Sequence, residues 1–275
     1  MNIINRNLFR LLNRGAFNHD SGTLEPMSKY KWQRLFAIAT QHNVTNIITP
    51  QLNEQKTHPN FMFPEELTKA WTEAAKNNEE KENEAMTVGN KEKLRFANFL
   101  INRKLKNIIE QERHEIDANT ETVYLLKLYI TITTAMLGPG MKLSQLIRIG
   151  KYLREKGDKV DYVKFEKWID TLSMHRMTDT ISSMLMQFFD FQKEEFPFLH
   201  EQVESAARTA LIDLNSTAPR EIHFTEGSAG FVVSNSGRAT MWHISNSARM
   251  MKYCPKEAAS NFFHNIFSSL SEIEE

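Results

Sequence analysis

Cysteine is almost absent: Cys254 is the only one in 275 residues. No intrachain disulfide can form, and a reducing, cytoplasmic compartment is the expectation. A lone thiol between Tyr253 and Pro255, with no base marked in the sequence, reads as a small core side chain rather than a nucleophile. Net charge is also missing, with 34 basic residues against 34 acidic ones. No global field therefore draws nucleic acid or an anionic membrane to the chain. No apolar run reaches the ~18 residues of a membrane span, because the longest candidate, Val123 to Leu137, is interrupted by Lys127 and by threonines. There is no Gly-x-Gly-x-x-Gly, no phosphate loop and no His-x-x-x-His pair. No cofactor, metal site or catalytic residue is implied by any of these patterns.

What is present has the composition of a globular protein, with 41% hydrophobic and 25% charged residues. Near the amino terminus Arg6, Arg10 and Arg14 occur before any acid, in the manner of a transit peptide. Ile4, Leu8, Leu11 and Leu12 share one helical face there, and no apolar h-region accompanies them, so an amphipathic first helix ending at Gly15 is expected instead of secretion. The 3.6-residue period continues almost everywhere. It appears in Trp32, Leu35, Phe36 and Ala39, in Leu143, Leu146, Ile147 and Leu153, and in Phe165, Trp168 and Ile169 behind the cap residue Asp161. The segment Thr178 to Phe191 is apolar enough to be buried on most sides, and a further helix is expected from about Phe198 to Leu214. Only near residues 222–233 does the pattern shorten, around Ile222-His223-Phe224 and Phe231-Val232-Val233, to that of a short β-hairpin. The expectation is an all-α fold of about nine or ten helices. Residues 1–58 supply N-terminal helices, 59–118 a charged helical arm or hairpin and 119–275 a helical core, and the three could form one continuous domain. Trp32, Phe36, Leu146, Trp168, Leu185, Phe188, Phe263 and Ile266 are expected in the core.

Charge is segregated in the middle of the chain. Glu65 to Glu84 carries seven acids and three lysines, whereas Lys91 to Arg113 carries seven basic residues and three acids. This predicts an antiparallel pair across residues 65–113, either folded back at Gly89 or exchanged with a second copy. The stripe Leu94, Ala97, Ile101, Leu105 and Ile108 supplies its burial. Phe96 and Phe99 flank that stripe and are expected to pack rather than to stack on bases. With no net charge the chain lacks the footprint of a nucleic-acid binder.

Three constellations are the nearest approach to chemistry. His175 and Asp179 stand four apart on a predicted helix, but two ligands fall short of the three or four that zinc takes. Asp158 and Asp161 suit helix capping better than two-metal chemistry. The segment Ser234 to Arg238, leading into a helix with Trp242 and His243, places small polar residues before a helix N-terminus. Its backbone N–H groups could meet an anion there, with Arg238 closing on it. The ligand-binding candidates are Ser236, Arg238, His243 and Arg249.

Some of these segments resemble a known family. Lys31 to Ala39 followed by His42 and Val44, the stretch Tyr124 to Leu153 with Lys142-Leu143-Ser144-Gln145-Leu146, and the tail Arg249 to Glu257 are similar to helical segments of nucleotidyltransferase-like proteins of Bacteroidetes. The resemblance implies a nucleotide or phosphorylated ligand. Catalysis in that superfamily needs a strand bearing Asp-x-Asp to hold the ions on a triphosphate. No Asp-x-Asp lies on an apolar strand here, and residues 60–118 read as helix, so the resemblance implies a non-catalytic derivative. The functional expectation is a helical binding or interaction protein with a protein partner, or self-association, through residues 65–113. The alternative is a nucleotide-binding enzyme of nucleotidyltransferase type.

Overall fold

The computed structural model describes residues 1–55, 63–88, 95–138, 140–215, 225–226, 232–233, 245, 248, 250–253, 255 and 258–260. The fold is all-α. In chain order the helices are α1 (Ile3–Phe17), α2 (Lys29–Gln41), α3 (Thr45–Gln55), α4 (Glu66–Val88), α5 (Phe99–His114), α6 (Thr120–Leu137), α7 (Leu143–Lys156), α8 (Tyr162–Leu172), α9 (His175–Phe189) and α10 (Ala206–Asn215). Single 3₁₀ turns occupy Gly157–Lys159 and Lys193–Glu195. The hairpin expected near residues 222–233 is present as one antiparallel pair, β1 (Thr225–Glu226) on β2 (Val232–Val233), with Thr225 opposite Val233.

The centre of the fold is the group α6, α7, α8 and α9. Leu125, Leu126, Tyr129, Ile130, Ile132 and Met136 of α6 are all buried, and this helix packs on the other three. Helix α9 is buried on most sides, as its composition predicts, and several of its small polar residues find partners inside the protein, although the buried Thr178 hydroxyl has none among the described residues. Ser182 shares a 2.9 Å hydrogen bond with the Tyr129 hydroxyl, and Ser183 Oγ accepts from the Val203 N–H at 2.9 Å. Helix α1 lies across α9 and is fastened by Asn13, whose Nδ2 donates to the Phe188 carbonyl at 2.9 Å. Of the expected core residues, Trp32, Leu146, Trp168, Leu185 and Phe188 are buried. Phe36 is partly buried against the Trp71 ring, and Phe263 and Ile266 lie outside the described residues.

Several local expectations are corrected. Gly15 does not end α1, which runs on to Phe17; it is the point where α1 touches α3. A Cβ placed on Gly15 would stand 2.5 Å from the Ile47 carbonyl oxygen and 3.0 Å from its Cγ2. Because a backbone atom cannot swing away as a flexible side chain can, Gly15→Ala should force the helices apart and cost about 1–3 kcal/mol, the range for overpacking. Urea unfolding of the variant measures this, and an unchanged midpoint would show that α3 yields freely. The next helix, α3, carries Pro50 inside it. Pro50 has no N–H to give the Asn46 carbonyl, but burial of Ile48 and Leu52 holds the helix together across it.

The segment from Phe198 is not helical until Ala206. Its backbone N–H groups are drawn to side chains of α9, His200 to Asp179 and Val203 to Ser183, while Gln187 of α9 takes the Ala207 N–H in the first turn of α10. Groups spent on such partners cannot serve a helical ladder.

The polar stretch Lys76 to Glu84 continues α4 unbroken. The pairing expected between the two charged arms is not what the described residues form: α4 lies along α3 and α2, whereas α5 lies along α8. Each arm finds a better apolar surface on the body than on the other. Trp71 is buried beside Phe36, and Ile101, Leu105 and Ile108 are buried on the inward face of α5. Phe96 packs as expected, but Phe99 does not and is 76% exposed.

Candidate functional site

The four residues that the sequence marks as ligand-binding, Ser236, Arg238, His243 and Arg249, lie outside the described residues. Two groups of charged side chains flank α8, an eleven-residue helix started by Asp161, whose Oδ1 accepts from the Lys164 N–H at 2.9 Å.

On one side α8 runs antiparallel to α5. Lys104 Nζ, near the start of α5, donates to the Thr171 carbonyl at the end of α8 (2.9 Å), while Lys164 reaches the end of α5. Between them is a groove of about 310 Å³. Lys104, Asn107 and Gln111 line one wall and Lys167, Trp168 and Thr171 the other. At its far end Lys164 is fully engaged. Its ammonium donates to Glu115 at 2.8 Å, to the Asp117 carbonyl at 2.8 Å and, more loosely, to buried Glu112 at 3.3 Å. The hydrogen bond to Glu115 raises the Lys164 pKa, and the same contact holds the Glu115 carboxyl below its usual range. Glu112 also accepts the Asn119 N–H at 2.6 Å, so this cluster closes the turn between α5 and α6. Lys104 and Lys167 are the groove's outward-facing cations, and neither has an ion-pair partner among the described residues.

On the other side α8 presents Glu166 and Asp170, one turn apart, to two imidazoles. His175 Nε2 touches Asp170 Oδ1, and His200 Nε2 lies 3.3 Å from Glu166 Oε1. The two rings meet edge to face with centroids 4.7 Å apart. Beneath them Asp179 accepts the His200 N–H at 3.1 Å. Burial raises the Asp179 pKa, opposed in part by the N–H groups of His200 and Glu201. His175 and Asp179, adjacent by helical spacing, are thus divided in their bonding: His175 pairs with Asp170, and Asp179 holds the segment that carries His200. Sequence reasoning could not find His200, because it reaches α8 across an irregular stretch with no periodicity to announce it. The arrangement can hold and exchange protons. No group of three or more His, Cys, Asp or Glu side chains among the described residues could hold a metal ion. Asp161 caps α8 as expected, whereas Asp158 lies within the 3₁₀ turn Gly157–Lys159 rather than at a helix cap.

Large apolar side chains are exposed at both ends of the groove. Phe99 and Leu100 (65% exposed) begin α5, and Val163 (80% exposed) begins α8. Leu100 precedes Lys104 by four residues on the groove wall of α5, and Val163 precedes Lys167 by four on that of α8, so each apolar residue stands next to a lysine along its helix. Among the described residues, no helix is long and apolar enough to cross a membrane. No protein-family model matches the chain, and no curated protein or solved structure matches it.

Proposed function

We propose that this chain is a non-catalytic helical binding or interaction protein of the cytoplasm, engaging a protein partner or a second copy of itself through residues 65–113. The observation that carries the reading is the outward face of α5, where exposed Phe99 and Leu100 adjoin a groove lined by the exposed lysines Lys104 and Lys167. Adjacent exposed apolar side chains beside charges are the usual mark of a protein contact. Helix occupies residues 66–88 and 99–114, where the resemblance to nucleotidyltransferase-like proteins would require a catalytic strand. On this reading the chain is a relative that keeps helical flanks without the chemistry.

Thermal unfolding with ATP, GTP, CTP and UTP plus magnesium tests it. The expected result is an unchanged melting temperature with every nucleotide. A ligand at about 100 times its Kd stabilises a protein by about 2.7 kcal/mol, so a reproducible rise of a few degrees with one nucleotide would overturn the interaction reading in favour of a nucleotide-binding enzyme.

A further inference from the structure

We infer that the exposed start of α5 is a docking site for an acidic segment of another protein, one that carries apolar residues about a helical turn from its carboxylates. The inference rests on the proposed interaction role and adds to it the chemistry of the partner.

Two apolar side chains and two arginines are gathered there. Phe99 and Leu100, the first residues of α5, are exposed, whereas Ile101, Leu105 and Ile108 behind them are buried. Asn98 accepts the N–H groups of Leu100 and Ile101 and so fixes this first turn. Arg103 is exposed and follows Phe99 by four residues and Leu100 by three, which puts it beside both along the helix. Arg95 is brought back to the same turns by its neighbour Phe96. The Phe96 N–H donates to Asn102 Oδ1 at 2.7 Å, and Asn102 Nδ2 donates to the Phe96 carbonyl at 2.6 Å. Phe96 itself is buried, so the loop is pinned while Arg95 stays at the surface.

The charge around this patch is of one sign. From Arg95 to Ile109 the chain has Arg95, Arg103, Lys104 and Lys106 and no acid. Lys104 donates to the Thr171 carbonyl, and Lys106 is paired with Glu110 at 3.6 Å. Arg95 and Arg103 have no ion-pair partner among the described residues, and Glu166 and Asp170 of neighbouring α8 face histidines instead. An occupant that answers the two arginines brings carboxylates, and one that covers Phe99 and Leu100 brings apolar side chains. The same patch on a second copy brings neither, since it would set arginine against arginine. Aromatic and arginine side chains are the residues that protein interfaces favour. A lipid surface takes up a broad apolar helix face, and that of α5 is turned inward. A nucleic acid calls for a basic footprint, and the chain has no net charge. Exposed ion pairs contribute little individually, so the contact should be weak, salt-sensitive and steered by charge.

Fluorescence anisotropy of the full chain with a labelled helical peptide of glutamates and leucines, spaced one turn apart, tests this. The acidic peptide should bind at low salt and weaken as salt rises. Peptides with lysine for glutamate, or serine for leucine, should bind about tenfold more weakly or worse. Arg95→Glu with Arg103→Glu should weaken the acidic peptide by about tenfold or more and make the lysine peptide the better ligand. Phe99→Ser with Leu100→Ser should weaken it as much. All four side chains are exposed, so melting temperatures should be unchanged; if one falls, the alanine versions give the same comparison. No binding at about 1 mM acidic peptide overturns the inference. So does binding indifferent to both pairs of substitutions, or a labelled oligouridylate or phosphatidylserine vesicle that binds more tightly and loses its affinity in the same variants. If nucleotides leave the melting temperature unmoved, such a failure strikes only the partner's chemistry. A rise with a nucleotide would instead overturn the interaction reading itself, whatever the peptide does.

Discussion

Phe188→Ala should remove about 3–5 kcal/mol of stability, the range for emptying an aromatic site in a packed core. Phe188 is buried near the end of α9 and lies flat against Phe9 of α1, with centroids 4.2 Å apart and planes 3° from parallel. The Phe9 ring also meets Phe189 edge-on at 5.8 Å, and Phe17 packs on Phe189 and Phe191, so the contact is one face of an aromatic cluster joining the first helix to the core. Alanine removes the ring but leaves the backbone, and the Asn13 hydrogen bond to the Phe188 carbonyl survives. The helices therefore cannot close over the hole, and a cavity should remain. Domains are stable by only about 5–15 kcal/mol, so the loss would be a large share of the total. Equilibrium unfolding in urea measures it. A loss under about 1 kcal/mol would mean that α1 is not docked on α9 in solution.

Acidification from neutral pH to about pH 4 should destabilise the chain by on the order of 2–4 kcal/mol through one histidine, apart from what the carboxylates contribute. His42 is 2% exposed, and burial, reinforced by Lys142, holds its pKa down at about 4 despite a 3.4 Å contact from Nε2 to the Leu214 carbonyl. A folded pKa below the unfolded value of 6.5 means that only the unfolded chain gains a proton between the two. Stability from the neutral imidazole is therefore complete above about pH 6.5, declines as the pH falls through the window, and is lost by about pH 4. His42 connects three elements, since it follows α2, contacts the end of α10 and accepts the Ser144 N–H on its own carbonyl at 3.3 Å. The check is the difference in unfolding free energy between pH 7 and 4.5 for the wild type and for His42→Gln, which cannot titrate. Carboxylate effects cancel in the comparison, and equal pH dependence in both proteins would show that the imidazole is solvated in the folded chain.

Much of the fold was determined by the sequence alone, because the information was local. Asp161 and Asn119 cap helices where a short polar side chain precedes an apolar period, and the 3.6 spacing of Trp168, Leu185 and Phe188 places them inside whatever the chain packs against. Where backbone groups are contested, only the tertiary structure decides. The segment after Pro197 has helical composition, but its N–H groups go to Asp179 and Ser183 of a neighbouring helix. Gly15 has the composition of a helix end, but it marks a close approach to a carbonyl some thirty residues further on. The same limit applies to the candidate site. The split charge of residues 65–113 is visible in the sequence, because charge is a property of residues taken singly. That α4 and α5 lie on different helices, that α8 brings Lys167 beside Lys104, and that His200 meets His175 were decided by packing. Burying an apolar stripe is non-directional, so the stripe predicts that a helix will dock without saying on which surface.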